Sequence, residues 1–133
     1  MPLDDLRWEP EAYDVDRMRR RNEMIAARGM RQYTSVARHE ATGALVGSTT
    51  LTRLAGLPEH IDQWETIVLE EHRGHRLGML LKIENLRFAQ RAEADLCFID
   101  TVNSDSNAPM LQMNLALGFE PVRAWAEWEL TLS

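Results

Sequence analysis

Apolar positions along this chain change period several times, and each change marks an element. Residues 11–28 place Val15, Met18 and Ile25 near one helical face, with Gly29 positioned as the stop. Two runs, 31–39 and 44–54, alternate apolar and polar residues like strands. Glu40-Ala-Thr-Gly43 joins them, and a short Gly-containing link between such runs predicts an antiparallel hairpin. Residues 55–62, with Gly56 and Pro58, read as a loop. Residues 63–69 read as a buried strand ending in three aliphatics, Ile67, Val68 and Leu69. From residue 77 to about 92, apolar side chains at Leu77, Leu80, Leu81, Ile83 and Leu86 carry a helical period. Residues 96–102 form a short apolar run, consistent with a strand covered on both faces. Asn107 or a neighbour then caps a helix with Pro109 in its first turn and Gly118 at its end. In residues 122–132, Ala126, Trp128, Leu130 and Leu132 share one face and Glu127, Glu129 and Thr131 the other, which predicts a closing strand. Residues 1–10 are polar, hold two prolines, and read as an arm or loop.

The resulting order is helix, two antiparallel strands, strand, helix, strand, helix, strand. That order predicts an α/β domain of the mixed, α+β-like kind, with a right-handed parallel crossover around the central helix. At 133 residues the chain is expected to form one domain with a substantial core. Its net charge of −6 argues against broad binding to nucleic acid or an anionic membrane. It leaves room for a small basic pocket. No stretch approaches the roughly 20 apolar residues that span a bilayer, and the acidic N-terminus lacks a signal-peptide pattern. The single cysteine, Cys97, sits between Leu96 and Phe98 and is expected to be an inert core thiol in a reducing cytoplasm. The spacing of the four histidines and the cysteine matches no metal site, so none is expected.

The candidate chemistry concentrates where the strand at 63–69 gives way to the helix at 77. There the sequence runs Arg73-Gly-His-Arg-Leu-Gly78. The first N–H groups of a helix lack intrahelical partners and sit at its positive dipole end, equivalent to about +0.5 charge. Gly74 and Gly78 let backbone approach a ligand, and Arg73, His75 and Arg76 add donors. The stretch suits a pyrophosphate.

This turn resembles the Gln/Arg-x-x-Gly-x-Gly/Ala signature of the GNAT superfamily of acetyl-CoA-dependent N-acetyltransferases, with Arg76 where the family's middle Gly usually stands. A second block, Asn103-Ser-Asp-Ser-Asn107 followed by a helix and Leu117-Gly-Phe119, is similar to the family's later motif. Together they cover roughly residues 31–133. The resemblance implies a GNAT-type acyl-CoA N-acyltransferase fold, a mixed antiparallel and parallel sheet flanked by helices, with the family's N-terminal strand missing, reduced or supplied by another chain. It implies acetyl-CoA as co-substrate, no metal, and transfer of acetyl to an amine by direct attack through a tetrahedral intermediate. By position, Val68 and Leu69 would offer free backbone groups to the pantetheine arm, with an N–H near Val68 polarising the thioester carbonyl. Arg73, Gly74, His75, Arg76, Leu77, Gly78 and Met79 would hold the pyrophosphate, and Asn107, with Asn103 as a weaker candidate, would touch the cofactor from the second block.

Proton transfer is less directly written. Many family members carry a Tyr four residues before the Gly of Leu-Gly-Phe to protonate the leaving thiolate; this chain has Asn114. Asn is no ordinary acid, but it hydrogen-bonds, and a thiolate of pKa about 8.5 is a weak base. Glu65 is the first choice of general base, and His60 and Asp62, on the loop before it, are runners-up. Glu65 as a solvent-facing or Arg-paired carboxylate is the competing reading. His39 is expected to be an exposed strand residue, and the basic run 17–21 a solvated helix face. Trp64, Trp125 and Trp128 are expected in the core or a subunit interface. Three functions stay open: a cytoplasmic N-acetyltransferase acting on a small-molecule or peptide amine, a catalytically inactive acyl-CoA-binding domain with a regulatory or structural role, and an unrelated phosphate-binding module. A homodimer is the expected assembly.

Overall fold

The computed structural model describes residues 14–126 and 128–132. The expected N-terminal arm, residues 11–13 of the expected first helix and the question of a missing first strand therefore lie outside the described residues. Those described form two compact units, residues 14–102 and residues from 103 onward.

The first unit holds helix α1 (Val15–Ala27), strands β1 (Arg31–Arg38), β2 (Leu45–Arg53) and β3 (His60–Val68), helix α2 (Leu77–Ala92) and strand β4 (Phe98–Thr101). Asp14 starts α1 by accepting the Arg17 N–H at 2.7 Å, so the helix has a side-chain cap. Gly29 follows it at φ +72°, the left-handed stop its position predicts. Of the expected apolar face only Ile25 is buried; Val15 and Met18 are exposed. The strands form one open sheet in the order β1-β2-β3-β4, with the first two pairings antiparallel and β3–β4 parallel.

β3 begins earlier than expected. Residues 60–62 belong to the strand rather than the preceding loop, because each pairs with a residue of β4. The parallel partner supplies backbone bonds that the Gly56–Pro58 stretch concealed.

α2 lies against β1, β2 and β3, and its buried face is Gly78, Leu81, Lys82, Asn85 and Ala89. Tyr33, Leu51, Ile61 and Ala89 make the core, with Leu86, Leu96 and Ile99 packed around it. Two polar side chains fix the helix on the sheet. Fully buried Asn85 donates to Tyr33 O at 2.8 Å and accepts from Ser35 Oγ at 2.9 Å. Glu93, just past the helix end, pairs with Arg31 at 2.8 Å and Arg53 at 3.4 Å and accepts the Tyr33 hydroxyl. Gly47 matters at the other end of α2. A Cβ there would meet Leu81 Cδ1 at 3.0 Å and Ile67 O at 3.1 Å, so a larger residue would have to push these neighbours aside by a few tenths of an ångström.

The second unit holds α3 (Ala108–Ala116), with Asn107 at its N-cap position and Pro109 in its first turn. The Asn107 side chain makes no cap hydrogen bond, although its backbone oxygen accepts the Leu111 N–H at 3.0 Å. The closing strand expected at 122–132 does not form among the described residues. Trp128, Leu130 and Leu132 are more than four-fifths exposed, so the alternation lacks the covering surface a strand needs. Cys97 is also exposed rather than in the core; its Sγ lies 3.3 Å from Asp95 O in the link before β4.

Lys82 gives a test of this packing. It is 5% exposed, and burial lowers its ammonium pKa to about 8. An unfolded lysine titrates near 10.4, so between about 8 and 10 the unfolded chain binds more protons. Folding stability should therefore rise with pH across that window. Denaturant unfolding of the wild type should show the rise, and Lys82→Met should remove it. Parallel profiles for the two proteins would contradict this burial.

Candidate active site

The site is built on β3 and the turn after it. The β2–β3 pairing shifts register between Thr49 and Leu51, so that Trp64 and Glu65 together oppose the single Thr50. This is a β-bulge in β3. The Gln63 carboxamide closes it, donating to Thr49 Oγ1 at 3.0 Å, Thr50 O at 3.1 Å and Trp64 O at 3.2 Å. Bulges bend a strand and raise its twist. β3 pairs with β4 only from His60 to Gln63, opposite Phe98 to Thr101, so the pairing ends where the bulge begins. Beyond it, residues 66–68 pair with β2 on one side and, among the described residues, with no parallel strand on the other.

Alternation then decides which backbone groups face that open side. Leu69 N–H donates to Val46 O at 2.9 Å, and Leu69 O accepts from the His72 N–H at 2.9 Å. Both groups of Leu69, one of the two residues expected to meet the pantetheine arm, thus have hydrogen-bond partners within the protein. Along an antiparallel ladder the residues alternate in facing the partner, so Val68 and Thr66 turn their N–H and C=O away from β2. Val68 O confirms the direction by accepting from Arg73 Nε at 2.9 Å. Arg73 thus holds the turn against the strand end.

A short 3-10 turn, Glu70–His72, leads into the left-handed positions Gly74 (φ +84°) and Arg76 (φ +58°). Arg76 is the N-cap residue of α2, and no side chain caps the helix. The N–H groups of Leu77, Gly78 and Met79 precede the first intrahelical bond, in which Leu80 N–H reaches Arg76 O at 3.1 Å. A Cβ on Gly74 would meet nothing within 4 Å, so the outer side of the turn is open. These features suit an anionic diphosphate: uncapped donors, a positive dipole end and exposed cationic side chains. A left-handed arginine costs roughly 1–2 kcal/mol, strain of a kind that collects at functional turns.

Glu65 stands on the bulge with its side chain exposed. Its runners-up are strand residues. His60 Nδ1 lies 2.8 Å from Asp100 Oδ2, and its ring stacks on Phe98 at 4.8 Å. The Asp62 carboxyl is pushed above the ordinary range by burial and then by neighbouring Asp100. In the second unit Asn114 is 5% exposed and donates to Asn103 Oδ1 at 2.6 Å, so these two candidates meet directly.

The sequence reading missed the roles of Gln63 and of His39. His39 is half-buried rather than exposed, with its ring 5.0 Å from that of His72. Trp64 carries Arg21 over its ring at 5.0 Å, whereas Trp125 and Trp128 lie on the surface, outside the core. Among the described residues, no group of three or more His, Cys, Asp or Glu is placed to hold a metal ion.

The strain at Arg76 is testable. Arg76→Gly should raise unfolding free energy by about 1 kcal/mol in urea titration. A loss of stability would show that the arginine side chain, not the turn, sets the conformation.

No protein-family model and no curated protein sequence matches the chain. Solved structures do. A tandem GNAT protein from the clavulanic acid biosynthesis pathway, solved without acetyl-CoA, is 43% identical over 80% of this chain, with a TM-score of 0.77. This chain spans only 33% of that protein's length. The diaminobutyrate acetyltransferase of Paenibacillus lautus, in complex with L-2,4-diaminobutyric acid and coenzyme A, is 26% identical over 64% of this chain and 49% of its own, with a TM-score of 0.57. An acetyltransferase of Trypanosoma brucei shares the fold at 20% identity, covering 90% of this chain and 82% of its own, with a TM-score of 0.63. With this sheet, this turn and these neighbours, the chain belongs to the GNAT superfamily.

Proposed function

We propose that the chain is a single GNAT-like domain acting as an acetyl-CoA-dependent N-acetyltransferase. The acceptor is the amine of a small molecule or peptide. One observation carries this reading: the uncapped start of α2 adjoins the strand end whose backbone faces an open side. A diphosphate and an extended amide-bearing arm need those two surfaces in that order. The diaminobutyrate acetyltransferase, which binds a small diamine and coenzyme A, supports the same acceptor class.

In the proposed site, Leu77, Gly78 and Met79 offer backbone N–H to the diphosphate, with Arg73, Gly74, His75 and Arg76 shaping the turn. Thr66 offers N–H and C=O to the pantetheine amides, and the Val68 N–H polarises the thioester carbonyl. Acetyl transfer forms a C–N bond and breaks the C–S bond; the amine loses a proton and the thiolate gains one. Glu65, exposed on the bulge, takes the amine proton directly or through water. For the second unit, taken by itself, Asn103, Asn107 and Asn114 remain the residues that the family resemblance implies.

A non-catalytic acyl-CoA-binding role is the second reading, favoured because Asn114 stands in place of an acid and is held by Asn103. Release of free thiol with an amine panel separates the two. The exposed free Cys97 suits a reducing cytoplasm, and the exposed apolar residues Val122, Trp128, Leu130 and Leu132 favour a homodimer. Among the described residues, no helix is long and apolar enough to cross a membrane.

Acetyl-CoA at about 100 times its Kd should stabilise the protein by about 2.7 kcal/mol in thermal unfolding, whereas ATP should not. Gly78→Asp should abolish that gain, because a carboxylate enters the turn where the diphosphate charge must lie; an unchanged gain would remove the turn from the site. Glu65→Gln should slow turnover most on the plateau of the pH–rate profile, flatten its acidic limb, and leave CoA affinity nearly intact. An unaltered pH–rate profile would assign the base elsewhere.

A further inference from the structure

The far end of the β1–β2 hairpin lies beside the β3–α2 turn, and between them is an open surface pocket of about 700 Å³. Arg38, His39, Glu40, His72 and His75 line it, over apolar contributions from Val46 and Leu77. The hairpin end is held firmly. His39 N–H donates to Ala44 O at 2.8 Å, His39 O accepts from Gly43 N–H at 2.7 Å, and its Nδ1 shares a hydrogen bond with Thr42 Oγ1 at 3.1 Å. The His39 ring faces that of His72 at 5.0 Å with a 53° tilt, and both residues are half-buried.

Simple packing does not call for this set. Three imidazoles, those of His39, His72 and His75, and the Arg38 guanidinium line one pocket. Glu40 is the one carboxylate among the lining residues; Glu70 and Glu71, on the 3-10 turn before His72, are exposed and outside the lining. Among the described residues, no side-chain hydrogen bond or ion pair engages Arg38, His72 or His75. The cavity therefore gathers up to four nitrogen-bearing cations or donors against one carboxylate. Its size lies within the roughly 300–1,000 Å³ of ordinary small-ligand pockets. A compact ligand with several acceptor oxygens and two negative charges matches it.

We propose that this cavity binds a phosphate monoester, with His39 and His72 as its central donors and Arg38 at its rim. His75 and Leu77 line the cavity and also belong to the turn proposed for the diphosphate, so the two anion sites adjoin. The monoester has two possible sources. It is either the ribose 3′-phosphate of coenzyme A, in which case the inference rests on the proposed cofactor, or a separate phosphorylated ligand.

Calorimetric titration of the wild type and of a His39→Gln/His72→Gln double variant with CoA, dephospho-CoA and inorganic phosphate tests the proposal, with imidazole NMR shifts as a second readout. If the cofactor is the source, the wild type prefers CoA over dephospho-CoA by about tenfold or more, and the variant loses that preference while keeping its dephospho-CoA affinity. If the source is separate, the two forms of CoA bind alike, and inorganic phosphate shifts the His39 and His72 resonances and binds the variant more weakly. Phosphate binding of that kind without any CoA binding would keep this inference and sink the cofactor reading. Unmoved His39 and His72 resonances with every ligand, or equal affinities in the two proteins, would overturn the inference even where CoA binds through the turn.

Discussion

Among the described residues, strand β3 keeps one neighbour from Ile61 onward and loses the other midway. β2 accompanies it to Leu69, while β4 leaves it after four residue pairs. Backbone amides and carbonyls are obligatory hydrogen-bonding groups, so a strand half-abandoned by its partner must satisfy them elsewhere. One carbonyl, that of Val68, is met by Arg73. The remaining outward groups of Thr66 and Val68 await solvent or an extended ligand. The bulge at Trp64–Glu65 stands where the partner departs, and the added twist it imposes is a physical reason for the departure. Gln63 fixes that bulge by sharing the two protons of one amide nitrogen among three acceptors, so the geometry is held by the protein and not left to chance.

The same strand end sets the second half of the site. α2 must begin close to it with its donors uncovered, and three residues place it there. Gly47 admits Leu81 onto the sheet, Asn85 ties the middle of the helix to β1, and Glu93 clamps its far end to Arg31 and Arg53. None of the three is in the proposed site. They position it. Arg76 accepts a left-handed conformation to start the helix at that point, which retains a cation where glycine would leave none.

Much of this could be read from residues alone, for reasons that differ by element. α2 was legible to its boundaries because its apolar period is regular and the glycines before it mark the turn. The hairpin was legible from alternation and the Gly43 link. The start of β3 was not, because its bonding comes from a parallel partner far away in sequence. Residues 122–132 alternate as a strand does, yet form none among the described residues, since alternation describes a face and not what covers it. At the site, the donor-rich turn was visible as sequence. The engagement of both Leu69 backbone groups was not, because it follows from register. The His39–His72 approach was hidden for a similar reason: those residues lie 33 positions apart and meet only through the sheet.

Family membership and proposed chemistry rest on different foundations. The fold and the relatives establish the superfamily, whereas the reaction rests on the physics of one corner of the molecule. The most direct test is a crystal structure with coenzyme A bound. The account predicts diphosphate oxygens about 2.7–3.2 Å from the N–H groups of Leu77, Gly78 and Met79, with the pantetheine arm paired along Thr66 and Val68. Coenzyme A seated elsewhere, with those amide groups turned to solvent or met by the protein's own side chains, would contradict it.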